Sequence, residues 1–190
     1  MTARRDVPLS GQALAELTET TWARLCRAAF LRGEFVLSSG RTSHYYIDKY
    51  LFETEPGLLR DVARLLAQAL PPETARLAGP ALGGIPLATA VALETGLPFV
   101  IVRPEAKGHG TARTIEGRLE PGDRVVVLED VVTTGGQAAR AARSVEAAGG
   151  SVILVLAVVD RNEGGREGVQ AAGYRFEALY DLGTRSSPAA

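Results

Sequence analysis

The sequence predicts an α/β fold: a parallel sheet flanked by helices, with a small N-terminal hood. Three observations predict it. From about residue 77 onward, short apolar strands alternate with helical stretches, the pattern of a doubly wound sheet. Two of those strands, at 124–128 and 152–159, are apolar on both faces, as buried parallel strands are. Before about residue 70 the alternation is absent, and two amphipathic helices frame a pair of short β-forming stretches. At 190 residues, 46% hydrophobic and 23% charged, the chain is long enough to bury one sizeable core, so we read a single domain. Its first part, about 1–70, holds the hood and helices, and about 71–185 forms the core.

The elements follow in order. Leu14, Leu17, Trp22, Leu25 and Ala29 recur near helical spacing between residues 11 and 30, and Ser10 is suited to cap that helix. Cys26 lies on it as a small core residue. A short strand at 34–37 leads through a Ser38-Ser39-Gly40-Arg41 turn into Tyr45-Tyr46-Ile47-Asp48-Lys49, rich in β-formers. A second helix spans about 56–70, with Pro56 in its first turn and Pro71-Pro72 stopping it. Then come a strand at Leu77-Ala78, a helix at about 85–94, a strand at 99–102, a strand at 124–128, a helix at about 136–148 and a strand at 152–159. The last residues, 185–190, read as a frayed tail.

Composition excludes several classes of function. A formal net charge of -1 lacks the basic surplus of a dedicated nucleic-acid binder. The longest apolar run, at 152–159, is far shorter than the ~20 residues that span a bilayer, and no apolar signal core follows the first residues. A single cysteine rules out an internal disulfide and suits a reducing cytoplasm, so a cytoplasmic location is expected. Only two of the 21 basic residues are lysines, Lys49 and Lys107.

The most informative stretch is Val125-Val126-Val127-Leu128-Glu129-Asp130-Val131-Val132-Thr133-Thr134-Gly135-Gly136-Gln137. A buried strand ends in two carboxylates, and a Thr-Thr-Gly-Gly loop then opens a helix. In parallel sheets, ligands bind beyond the carboxyl ends of the strands. Glycines let the backbone approach a phosphate, threonine hydroxyls add donors, and the helix N-terminus supplies N–H groups and a positive dipole. Two carboxylates repel phosphate, so they imply a second ligand part: sugar hydroxyls or a Mg²⁺ ion. Together the parts ask for a sugar phosphate. Neither Gly-x-x-x-x-Gly-Lys-Ser/Thr nor a strand-linked Gly-x-Gly-x-x-Gly is present. The bland alternative is a strand–turn–helix whose acids cap a helix.

This segment resembles the binding motif for phosphoribosyl pyrophosphate (PRPP) of the type I phosphoribosyltransferases. The resemblance implies that Glu129 and Asp130 hold the ribose 2- and 3-hydroxyls. It gives the 5-phosphate to the loop Val131, Val132, Thr133, Thr134, Gly135 and Gly136, and makes about 71–185 a PRPP-binding core. Three further segments look like the orotate branch of that family. They are Phe35-Val36-Leu37-Ser38-Ser39-Gly40-Arg41-Thr42-Ser43-His44-Tyr45-Tyr46-Ile47-Asp48, Gly79-Pro80-Ala81-Leu82-Gly83-Gly84-Ile85-Pro86-Leu87-Ala88, and Arg103-Pro104-Glu105-Ala106-Lys107-Gly108-His109-Gly110-Thr111 with Ile115-Glu116-Gly117. Val159-Asp160-Arg161-Asn162-Glu163 resembles the segment whose arginine approaches the orotate carboxylate.

The implied reaction is displacement of pyrophosphate from PRPP by a ring nitrogen of orotate, giving orotidine 5-phosphate in pyrimidine synthesis, with Mg²⁺. Such a transition state builds charge on the leaving group and needs cations and an enclosed site. Residues 103–117 carry Arg103, Lys107, His109 and Arg113, have no core pattern, and are long for a connection, as lids are. The resemblance makes Arg103, Lys107 and His109 catalytic and PRPP-binding, with His109 able to donate a proton, and adds Asp130 to the catalytic set and as an indirect metal contact. It places orotate against Ser38, Tyr46, Ile47, Thr133 and Arg161. It also implies a homodimer whose subunits share the 103–117 loop. The plain alternative for Arg161 is a surface arginine paired with Asp160 or Glu163. His44 is read as lying beside the turn, and no role is read for Lys49. Many relatives have lysine where this chain has Ser38, Gly83 and Pro104, and aspartate where it has Glu129. A phosphoribosyltransferase for a purine or another base, and a PRPP-sensing regulator, are the other functions weighed.

Overall fold

The computed structural model describes residues 9–36, 42–104 and 114–185, excepting the side chain of Ser43. The chain begins with α1 (Gly11–Ala29), whose N-terminus is capped by the Ser10 hydroxyl accepting the Ala13 N–H. It passes directly into the antiparallel hairpin β1 (Phe30–Val36) and β2 (Thr42–Ile47). The strand expected at 34–37 therefore starts at Phe30, and its ladder shifts register between Arg32 and Phe35. Next come a short helix α2 (Lys49–Glu53) and then α3 (Pro56–Ala69), with Pro56 in its first turn and the Glu55 carboxylate accepting the Gly57 and Leu58 N–H groups.

The core alternates strands and helices: β3 (Arg76–Pro80), α4 (Gly84–Thr95), β4 (Phe99–Val102), β5 (Ile115–Glu116), β6 (Arg124–Val132), α5 (Gly136–Ala147), β7 (Ser151–Asp160), α6 (Gly165–Ala171) and β8 (Phe176–Asp181). Their order in the sheet is β5-β4-β3-β6-β7-β8. All neighbours pair in parallel except β4 with β5. From β3 the chain moves outward to β4, then crosses back to β6 on the other side. The β3/β6 boundary is thus the point where strand order reverses, the usual place for a ligand crevice.

Alternation along β6 explains why it is buried on both faces. Val126 and Leu128 face a layer built from α1, α3 and α4, where Leu25, Leu58, Val62, Leu66, Leu87 and Val91 are fully or almost fully buried. Val125 and Val127 face α5 and α6, against Ala138, Ala142, Val145 and Val169. Each fully buried valine or leucine contributes about 1.5–3 kcal/mol, so this two-sided packing anchors β6 firmly. Helices α1 and α3 thus complete one layer of the core, while the hairpin β1–β2 forms a separate two-stranded sheet. The helix α2, the strand β5, the helix α6 and the strand β8 have no counterpart in the sequence expectations.

Candidate active site

The cleft lies beyond the carboxyl end of β6. It encloses about 730 Å³ and is lined by Tyr46, Ile47 and Lys49 from the hood side, Glu129 to Ala138 from the strand and loop, and Arg161 and Glu163 beyond β7. The structure therefore brings together Glu129, Asp130, Val131, Val132, Thr133, Thr134, Gly135, Gly136, Tyr46, Ile47 and Arg161. Arg103 lies outside this cleft: it pairs with Glu116 at 3.0 Å and lines a neighbouring one with Thr114, Gln137, Arg140 and Arg143. Gln137 and Arg140 border both. Ser38, Lys107 and His109 fall outside the described residues. His44 is an exposed residue of β2.

The loop is built to leave backbone donors open. Gly135 is the N-cap of α5 in the left-handed conformation (φ 77°), and no side chain caps the helix. A Cβ there would also stand 2.5 Å from the Gly165 carbonyl oxygen, so glycine is required on both counts. Uncapped N–H groups and the helix dipole suit an anion.

The two acids sit at the switch point. Asp130 and Glu129 are 3% and 7% exposed. One Asp130 oxygen accepts the Val131 N–H and the other pairs with Lys49 Nζ at 2.7 Å. Glu129 Oε1 is buried with no hydrogen-bond partner among the described residues. Burial first, and then the charge of Asp130, push the Glu129 pKa up to about 8. Behind the pair lies a third carboxylate, Glu53 of α2, also buried and pushed up to about 8 by burial and by Asp130. The Asp130 and Glu53 carboxylates converge on Gly83: a Cβ there would stand 1.6 Å from Asp130 Oδ2 and 2.8 Å from Glu53 Oε1. Burial depresses the Lys49 pKa, but Asp130 outweighs it, and the ammonium is held above its ordinary value.

Lys49, for which the sequence suggested no role, is thus a site residue. It pairs with a carboxylate 81 positions away, and no local pattern carries that signal. Glu53 escaped notice for the same reason.

Arg161 is buried rather than on the surface. Its guanidinium stacks 4.9 Å over the Tyr45 ring, and Nη2 lies 3.0 Å from Glu163 Oε1. That pair lacks hydrogen-bond alignment, and neither Nε nor Nη2 has a hydrogen-bond partner among the described residues. A planar guanidinium lining the cleft has the geometry to pair with a planar carboxylate. Among the described residues no group of three His, Cys, Asp or Glu side chains could hold a metal by itself.

Known proteins resemble this chain over most of its length. Residues 52–171 match the phosphoribosyl transferase domain family. An orotate phosphoribosyltransferase of Halobacterium salinarum is 52% identical over 147 residues, 77% of this chain and 83% of that protein. The crystal structure of orotate phosphoribosyltransferase from Aeropyrum pernix aligns with a TM-score of 0.75 at 36% identity, covering 90% of this chain and 94% of that one. The orotate phosphoribosyltransferase of Mycobacterium tuberculosis in complex with PRPP aligns with a TM-score of 0.71 at 32% identity, covering 90% and 96%. With its fold, its acid pair and loop, and this similarity all in agreement, the chain belongs to the phosphoribosyl transferase family, in its orotate branch.

Proposed function

We infer that the chain transfers the phosphoribosyl group of PRPP to orotate, releasing pyrophosphate and forming orotidine 5′-phosphate, a step of pyrimidine synthesis. The observation that carries this reading is one cleft with two ends. A carboxylate pair and an uncapped helix N-terminus line one side, and the buried Arg161, ion-paired with Glu163, lines the cleft beyond β7.

Each group has a distinct task. The N–H groups of 133–136 and the Thr133 and Thr134 hydroxyls bind the 5-phosphate, with Val131 and Val132 held in the β6–β7 ladder beneath them. Glu129 and Asp130 accept hydrogen bonds from the ribose hydroxyls, and a carboxylate placed beside the sugar also stabilises positive charge on the ring. Arg161 binds the orotate carboxylate through paired N–H donors, while Tyr46 and Ile47 cover the ring face. The ring nitrogen then meets the anomeric carbon, and the carbon–oxygen bond to pyrophosphate breaks as the new bond forms.

Mg²⁺ belongs to this reading. The donor set fits an ion carried in by the substrate, since Mg²⁺ usually keeps several waters and takes one or two carboxylates plus phosphate oxygens. Asp130 and Glu129 would hold it, directly or through water, and it would neutralise charge on the departing pyrophosphate. The reading also includes a homodimer whose subunits share residues 103–117, so that Arg103, Lys107 and His109 close over the leaving group. A cytoplasmic location accords with the single cysteine, and none of the described helices is long and apolar enough to cross a membrane.

The test is pyrophosphate release from PRPP and Mg²⁺ with orotate, uracil, adenine or hypoxanthine. Release with orotate alone is expected, and EDTA should abolish it. No release with orotate would overturn the assignment.

A further inference from the structure

Lys49 is placed where the two ends of the cleft meet. It is the first residue of α2, two and three positions after Ile47 and Tyr46. The intervening backbone is stiff: the Asp48 N–H donates to the Ala29 carbonyl at 2.9 Å, and the Asp48 carboxylate accepts the Tyr50 N–H at 3.1 Å. The Lys49 ammonium reaches across to Asp130 Oδ2 at 2.7 Å, and it faces Glu53 and Glu129 as well. Asp130 is therefore fixed from three sides: by the Val131 N–H on its own strand, by Lys49 from the hood, and by the close approach of Gly83 from the loop after β3.

We propose that Lys49 is a positioning residue that makes the binding of PRPP and orotate interdependent. Its ion pair aims the Asp130 carboxylate at the ribose hydroxyls, and the same short segment sets Tyr46 and Ile47 against the base. Each carboxylate oxygen has two lone pairs, so Asp130 accepts a ribose hydroxyl while keeping Lys49 and the Val131 N–H. A ribose bound there holds Asp130, which holds Lys49, which holds the base-facing strand two residues upstream. The reverse path is the same, because coupling between two ligands is reciprocal. Without the ammonium, Asp130 keeps the Val131 N–H and its buried acidic neighbours Glu53 and Glu129 but loses its cationic partner, and its carboxylate is no longer aimed at the sugar.

This inference rests on the assigned reaction, and the two fail differently. Initial rates are measured over a matrix of orotate and PRPP concentrations with saturating Mg²⁺ for the wild type, Lys49→Met and Lys49→Arg. In the wild type, saturating PRPP should lower the orotate constant by at least ~5-fold, the lower end of typical coupling. In Lys49→Met that factor should fall to about one, and KM for PRPP should rise at least ~10-fold, the scale of one charged hydrogen bond. The loss falls more on KM than on kcat, and Lys49→Arg recovers most of it. A wild type without interaction, or a folded Lys49→Met with wild-type KM and interaction, overturns the proposal. If Lys49→Met does not fold by circular dichroism, Lys49→Gln takes its place with the same expectations. If the wild type turns over no orotate, the reaction assignment falls instead. Calorimetric titration of PRPP into wild type and Lys49→Met then still decides the Asp130 contact, with the same ~10-fold weakening expected and equal affinities overturning it.

Discussion

Replacing Gly83 by alanine isolates the close approach on which the acid pair depends. Gly83 has φ -68° and ψ -31°, a backbone conformation that alanine adopts freely. On conformational grounds Gly83→Ala would stabilise the chain by about 0.4–1 kcal/mol through its unfolded state. Space dictates the opposite. The new Cβ stands 1.6 Å from Asp130 Oδ2, while ordinary contact begins at 3.4 Å, so the carboxylate must retreat by about 1.8 Å. A retreat that large breaks its pair with Lys49 and takes it from the ribose hydroxyls. Loss of one charged hydrogen bond costs about 1.5–3 kcal/mol, which is roughly a 10- to 150-fold rise in KM for PRPP. The assay is steady-state pyrophosphate release with PRPP varied, alongside thermal denaturation. A Gly83→Ala protein that is as stable as the wild type or more so, and that keeps its KM for PRPP, would refute the argument.

Three other expectations follow from the same contacts. Arg161→Lys keeps the charge but loses the planar fork, so KM for orotate should rise about 10- to 100-fold while KM for PRPP stays within about twofold; equal shifts in both, measured by steady-state kinetics, would contradict the carboxylate role. Asp123 pairs with the buried Arg76 at 2.6 Å, and Asp123→Ala should lose about 3 kcal/mol in urea denaturation because the guanidinium is left buried alone. Burial raises the Asp123 pKa, but the Glu120 N–H and Arg76 outweigh it and hold it below 3.8. The stabilisation is therefore complete above about pH 4 and lost as pH falls through the lower folded value, so wild type and variant should converge in acid. Tyr180, fully buried, donates its hydroxyl to the Thr18 carbonyl at 3.0 Å, and Tyr180→Phe should cost about 1 kcal/mol, a fall of roughly 2–4 °C in Tm by calorimetry.

The sequence displayed what short-range chemistry writes into it. The run from Val125 to Leu128 announced a doubly buried strand, the acids and glycines after it announced the loop that lines the cleft and opens α5, and Ser10 and Pro56 marked their helix starts correctly. The short helices α2 and α6 were missed because five and seven residues carry too little periodicity to register. The strand β8 mixes Glu177 and Asp181 with its apolar residues, as a strand at the sheet's edge does. Lys49 and Glu53 were invisible as site residues, since their meaning comes from Asp130, far along the chain. For Arg161 the plain alternative named Glu163 as a partner of a surface arginine; the pair is there, but the arginine is buried, and that depth had to come from the fold.

The hairpin β1–β2 shares no ladder hydrogen bond with the six-stranded sheet. Tyr46 and Ile47, proposed to face the base, ride on that small ribbon, whereas the acids and the loop proposed to take the phosphate follow the central strand. The two are joined across the cleft by an ion pair, Lys49 with Asp130. A change in the length or sequence of the ribbon should therefore alter sugar handling as well as ring choice. Two sheets without a shared ladder thus behave as one reading unit, and swapping the rim means retuning the centre.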